Sequence, residues 1–385
     1  MKVVHGDYDS TFESVVETFA NQDVARVGCG SSLAVFKDGV PVINVWQGEA
    51  KINTPWTKET VSTVFSCTKG LAAVLVAHLQ ETAVLDLDDQ VSSIWPEFAA
   101  KGKEAITIRQ VMQHRAGLSA PRSNITHEQA LDARFVAQVL AEQEPLWRPD
   151  SSNGYHALTY GYLVGEIVLR ATGLTIGDLL ERVIAEPLGI PMWIGVPQAK
   201  LPLVATLTSD GNFTSSKPAE FSNGYWLERA MTLGAAFPND PTDANGYNDS
   251  GTLQAEIAGA GGVTNAFGLA KAYSALVTET DGVRLASDST IRDFLRKAAP
   301  ADNFWQEPVP FPKWAAGFML PLEGVIEMPG IESFGHNGLG GQAGWASIDQ
   351  RVGFGYTTTF LKNTPETQRN QQELVRELNR VLAQG

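Results

Sequence analysis

The sequence predicts an α+β fold, in which an antiparallel sheet assembled from both ends of the chain is flanked by helices and interrupted by a mostly helical middle. Three observations predict it. A strand-turn-strand pattern stands near the start, a second strand pair stands near the end, and an apolar run of helical length follows Gly70.

Between Asp9 and Asn21, the residues Phe12, Val15, Val16 and Phe19 recur at helical spacing and mark an amphipathic first helix. Ser32 to Phe36, the turn Lys37-Asp38-Gly39 and Val40 to Trp46 then form a hairpin signal, because an Asp-Gly pair suits the tight turn. Leu71 to Leu79 is apolar on every side, the pattern of a helix buried all round. Trp95-Pro96, Glu186 to Gly189 and Gly259 to Gly262 punctuate the middle. Pro197 to Ala258, rich in Gly, Pro, Asn, Asp and Ser with scattered aromatics, reads as long loops over a site. Gly344 to Ile348, a turn at Asp349-Gln350-Arg351, and Val352 to Thr358 form the second strand pair. The stretch Thr364 to Leu382 closes the chain as a helix with Leu374, Leu378 and Leu382 on one face. The expected division is a discontinuous sheet domain, 1–60 and 315–385, around a mostly helical domain, 61–314.

Composition narrows the function. With 385 residues, 43% of them hydrophobic, the chain can bury a large core. A net charge of -14 without clustered Lys and Arg argues against nucleic-acid and anionic-membrane partners. The start shows no apolar leader pattern and no segment has the length to span a bilayer, so a cytoplasmic location is expected. The two cysteines, Cys29 and Cys67, lack the spacing of a disulfide framework or a thiolate metal site. His114 and His127 lack a third ligand at metal spacing, so no metal is assigned, and no cofactor is implied.

The chemistry gathers around Val64-Phe65-Ser66-Cys67-Thr68-Lys69-Gly70. If Ser66 opens the apolar helix, Lys69 lies one turn on and on the same face, within reach of the serine oxygen. Burial disfavours a lysine's charge and turns it into a proton acceptor, while the helix start offers free N–H groups. Cys67 reads as small buried filler. Tyr155 follows a turn-rich loop, Pro149 to Gly154, at a loop-to-helix junction. In Phe334-Gly335-His336-Asn337-Gly338-Leu339-Gly340-Gly341 the glycines admit a ligand to a strand edge whose N–H groups could donate to an oxyanion. No serine stands in Gly-x-Ser-x-Gly and no phosphate-binding loop is present, which removes two other readings.

Ser66-x-x-Lys69, Tyr155 and His336-Asn337-Gly338, in that order, resemble the serine β-lactamase and penicillin-binding-protein superfamily, and within it the class C-like branch of family VIII carboxylesterases. Leu85 to Asp89, Ile106 to Leu118 and Pro187-Leu188-Gly189 extend the likeness over most of the chain. The resemblance implies a β-lactamase-like/transpeptidase fold with its site in the cleft between the sheet and the helical part. It also implies Ser66, Lys69 and Tyr155 as catalytic residues, and an oxyanion site at the N–H groups of Ser66 and Leu339. His336, Asn337 and Gly338 would face substrate. His114 and His156 are read as structural, and Trp226 and Trp345 as pocket lining.

Two departures stand out. Tyr155-His156-Ala157 replaces the Tyr-x-Asn of penicillin-recognising members, and His336-Asn337-Gly338 replaces their Lys-Thr-Gly. Both point towards a small uncharged ester as substrate partner and towards hydrolysis through an acyl-enzyme. A β-lactamase, a D-amino-acid peptidase and an acyltransferase use the same intermediate, and an inactive relative serving as a binding protein is the remaining alternative. The oligomeric state is not legible.

Overall fold

A computed structural model of the chain describes residues 3–22, 26–213, 218–296, 302–305, 313–364 and 367–384. Within the expected loop segment and closing helix, 214–217 and 365–366 lie outside the described residues.

The main sheet runs in the order His5–Tyr8, Val40–Lys51, Gly30–Lys37, Val352–Thr358, Ala343–Ser347, Ser333–Asn337, Met319–Leu320 and Lys313–Trp314, with Thr54–Pro55 paired to Val40–Lys51. Every pairing in it is antiparallel. The two ends of the chain meet at its centre, where Ala34 lies opposite Gly355. The fold is therefore the β-lactamase/transpeptidase-like arrangement that the sequence predicts. At the first hairpin, Asp38 and Gly39 have φ of 53° and 81°, the pair of positive angles that matches the strand twist. The edge strands His5–Tyr8 and Lys313–Trp314, and Met319–Leu320 beside the latter, are too short to show a period in the sequence.

One face of the sheet carries a core of Leu33, Val35, Trp345, Phe354 and Tyr356, closed over by Val15 and Phe19 of the first helix and Leu374 and Leu378 of the last. Each fully buried leucine there contributes about 1.5–3 kcal/mol. On the other face, helix Ala266–Val277 lies directly on the strands. A Cβ at Gly353 or Gly355 would come within 2.1 Å of the carbonyls of Ala270 and Ala266. The middle of the chain thus supplies one cover of the sheet, which the division at 61–314 did not anticipate.

Helix Cys67–Glu81 buries every residue except His78, Gln80 and Glu81 in the larger core. The segment expected as loops is more ordered than its composition suggests. It holds helices Asn223–Thr232 and Ser250–Gln254, started by caps in which Ser222 accepts from the Tyr225 N–H and Asp249 from those of Gly251 and Thr252. Among the described residues, no helix is long and apolar enough to cross a membrane.

Candidate active site

Ser66 stands at the start of helix Cys67–Glu81 and is entered through Phe65, whose φ of 46° is rare for a residue with a large side chain. The bend is held from below. Thr68 donates its hydroxyl to the Phe65 carbonyl at 2.5 Å and accepts from the Gly262 N–H at 2.8 Å. The Ser66 side chain makes no capping bond, so its oxygen is available to the two groups that reach it. Lys69 Nζ lies 3.0 Å from Ser66 Oγ, and the Tyr155 hydroxyl donates to the same oxygen at 2.8 Å.

Lys69 has no solvent exposure, and its amine donates to the Gly259 carbonyl at 2.7 Å. Helix Thr159–Thr172 presses that carbonyl into place, because a Cβ at Gly161 would come within 1.9 Å of the Gly259 nitrogen. Desolvation pushes the lysine well below its ordinary pKa, with a smaller opposing pull from Cys67. Burial therefore loosens the amine's hold on its proton beside Ser66. Cys67 is fully buried and donates its thiol to the His336 carbonyl at 3.2 Å, docking the helix on strand Ser333–Asn337. Desolvation raises its pKa, which keeps it a thiol.

Tyr155 is partly exposed to the cleft and stacks on Trp314, with ring centroids 5.2 Å apart and planes 8° from parallel. Burial of its inner end raises the phenol pKa. Its loop is clamped by two histidines. The His114 carbonyl accepts the Gly154 N–H at 3.1 Å, and His114 Nδ1 accepts the His156 N–H at 3.2 Å, so one residue grips the chain on both sides of Tyr155. His156 donates from Nδ1 to the Gly154 carbonyl at 2.6 Å and accepts the Leu118 N–H at Nε2. That bonding fixes a neutral ring, and burial pushes its pKa down to about 4.

Across the cleft, the buried His336 ring donates from Nδ1 to the Asn337 carbonyl at 2.6 Å. Burial first, then the nearby Lys69, pushes its pKa down to about 3, so the position carries no charge at neutral pH. Gly338 follows so close to the turn before Ser66 that a Cβ would meet the Val64 carbonyl at 2.4 Å. Among the described residues, the N–H groups of Ser66 and Leu339 have no acceptor within the protein.

Ser66 lies where two cavities meet. One, of about 210 Å³, is apolar and bounded by Phe65, Leu158, Phe213, Phe237 and Tyr247. The other, of about 260 Å³, is bounded by Tyr155, Trp314, Met319, His336, Asn337 and Gly338. Among the described residues, no cluster of three or more His, Cys, Asp or Glu is placed to hold a metal ion.

The structure brings Ser66, Lys69, Tyr155, His336, Asn337, Gly338 and Leu339 together. It does not bring the two tryptophans. Trp345 lies in the core on the far face of the sheet, since its cross-strand partner is Gly335 whereas His336 pairs with Gly344. Alternation along the strand puts the two on opposite faces, a parity that the sequence carried. Trp226 packs against Ala120, Ala230 and Trp305 under the Arg122 guanidinium, turned away from the cavities. The aromatic lining comes instead from Phe65, Phe213, Phe237, Tyr247 and Trp314. Sequence reasoning also missed Gly259 as partner of the lysine. Its only signal is the glycine cluster Gly259 to Gly262, which punctuation alone explained.

Fold and geometry define a hydrolase of the esterase/β-lactamase fold, and the chain belongs to the Beta-lactamase family, whose pattern it matches over residues 16–377. Among curated relatives it is similar to the esterase/beta-lactamase LipL of Mycobacterium tuberculosis, at 33% identity over 91% of this chain and 82% of the relative. Among solved structures it is similar to a family VIII carboxylesterase, with a TM-score of 0.86, 29% identity and coverage of 98% of this chain and 100% of the other. A penicillin-binding protein homolog from Caulobacter crescentus matches with a TM-score of 0.85 and 29% identity, over 98% of this chain and 100% of that one.

Proposed function

We propose that the protein is a serine esterase that hydrolyses small, uncharged carboxylic esters through an acyl-enzyme on Ser66. The observation that carries the reading is the convergence of a fully buried lysine and a tyrosine hydroxyl on one serine oxygen, at 3.0 and 2.8 Å.

Ser66 Oγ bonds to the ester carbonyl carbon as its proton passes to Lys69 Nζ. The carbonyl oxygen takes up the negative charge and is met by the N–H groups of Ser66 and Leu339. The carbon–oxygen bond to the alcohol then breaks. Tyr155 gives its proton to the departing oxygen and recovers one from Lys69. Water attacks the acyl-enzyme, loses its proton to the Lys69–Tyr155 pair, and Ser66 leaves with a proton restored. The opposite shifts divide the roles between the two groups. Lys69, with its pKa depressed, is the acceptor, and Tyr155, with its pKa raised, enters as a donor.

Ala157 lines the apolar cavity where an amide-binding asparagine would stand, and the neutral His336 offers no fixed cation for a carboxylate. Both favour uncharged esters over β-lactam acids. Fluorophosphonate labelling followed by peptide mapping, with a p-nitrophenyl ester series and nitrocefin turned over in parallel, tests the proposal. The label is expected on Ser66 and absent from Ser66→Ala, with short esters the best substrates. Penicillin turnover matching that of the best ester would overturn the substrate assignment, and full turnover by Ser66→Ala would overturn the nucleophile.

A further inference from the structure

Among the described residues, three border both cavities: Ser66, Leu339 and Met231. Ser66 is the proposed nucleophile, and Leu339 is held by the turn after strand Ser333–Asn337. Met231 differs from both, with an unbranched side chain that is 47% exposed.

The walls around it are stiff. In the apolar cavity, Tyr247 stacks on Phe237 with centroids 5.9 Å apart and meets Phe65 edge-on at 5.0 Å. The backbone carrying Met231 is also anchored. The buried Arg229 donates to the Pro121 carbonyl at 2.9 Å, to Asn124 Oδ1 at 3.0 Å and to the Ser123 carbonyl at 2.5 Å, tying helix Asn223–Thr232 to the loop beneath. A thioether on a fixed backbone can change rotamer without disturbing the aromatic wall.

The proposed reaction assigns the cavities. The departing alcohol oxygen must lie within reach of the Tyr155 hydroxyl, and Tyr155 borders only the second cavity. The alcohol therefore occupies the cavity of about 260 Å³ beside Trp314 and Met319, whose side chains suit an apolar alcohol, and the acyl group occupies the apolar cavity. We propose that Met231 is the partition between acyl and alcohol sites, limiting the acyl chain and keeping the two selectivities independent. The substrate class becomes an ester of a short apolar acid with an apolar alcohol. This inference rests on the esterase reading of Ser66.

The test uses four esters, combining acetyl or octanoyl with a small aliphatic or a naphthyl alcohol, and the full-length protein with Met231 intact, Met231→Ala or Met231→Leu. The readout is a ratio of kcat/KM values, so partial loss of folded enzyme cancels. With Met231 the effects of acyl length and alcohol size multiply, and the coupling ratio is near one. In Met231→Ala the octanoyl-to-acetyl preference rises by about tenfold, the scale for methylene discrimination in an apolar pocket. The long acyl chain then intrudes on the naphthyl site, and the coupling ratio departs from one by a similar factor. Met231→Leu, close in volume, restores the wild-type ratios. An unchanged acyl preference and an unchanged coupling ratio in Met231→Ala would overturn the partition while leaving the esterase reading intact. Wild-type protein that turned over none of the four esters would overturn both.

Discussion

The helix that carries Ser66 and Lys69 and the helix that closes the chain are nearly equal in length, at 15 and 14 residues, and opposite in environment. Cys67–Glu81 is buried on almost every side. Arg369–Leu382 buries a stripe through Leu374 and Leu378, and its arginines reach solvent, where Arg376 pairs with Glu327 and Arg380 with Glu377. A basic side chain on the closing helix keeps its charge, because water and carboxylates solvate it. Lys69 has neither, and its amine rests against a carbonyl and an aromatic ring. Spacing places a lysine next to a serine, but the position of the helix in the core removes that lysine from water, which is what the proposed mechanism requires of it.

The strongest way to break this comparison is to restore a permanent charge inside the first helix. Lys69→Arg is expected to lower kcat/KM for p-nitrophenyl acetate by at least about 10⁴-fold, since guanidinium stays protonated. Lys69→Met should be equally inactive yet melt at a higher temperature than the wild type. The lysine's folded pKa lies below its unfolded value, so at neutral pH the folded chain holds the amine's proton less readily than the unfolded chain and the buried amine is a net penalty. A Lys69→Arg enzyme with the wild-type pH profile would show that burial is not what activates the site. Next comes Tyr155→Phe, expected to reduce kcat by about 10²- to 10⁴-fold with little change in KM, measured in single turnover. The closing helix should respond in the opposite currency. Leu378→Ala is expected to lose about 2–5 kcal/mol of stability in urea unfolding, with kcat per folded molecule unchanged. Smallest is Arg376→Ala, which removes an exposed ion pair and should stay within about 0.5 kcal/mol of the wild type; a larger loss would mean that the outer face of this helix also packs.

What could be read from the sequence was local. Asp38-Gly39 dictates its turn through two positive φ angles, and the closing helix displays its stripe in plain periodicity. Ser66 and Lys69 fall one turn apart, so helical geometry suffices to join them. Tyr155 arrives from 89 residues away, and only the order of motifs suggested it. What stayed hidden depends on chain crossings. Gly259 reaches Lys69 because Gly161 leaves room for it, and Trp314 reaches Tyr155 from a two-residue strand with no period of its own. The placement of Trp345 was a different failure. The pairing of strands Ser333–Asn337 and Ala343–Ser347 sends it away from the cleft, and a count of residues along the strand would have shown this.

The buried, uncharged bases have a consequence for the protein's surroundings. His336 and His156 hold folded pKa values of about 3 and about 4, against an ordinary 6.5. As pH falls below 6.5 the unfolded chain takes up protons that the folded chain refuses, so stability declines towards those lower values. The proposed acceptor role of Lys69 weakens in the same direction. In the proposed reaction, each ester cleaved near neutral pH also releases an acid. In a weakly buffered compartment the reaction would therefore throttle itself, slowing as its own product accumulates and recovering when the medium is neutralised.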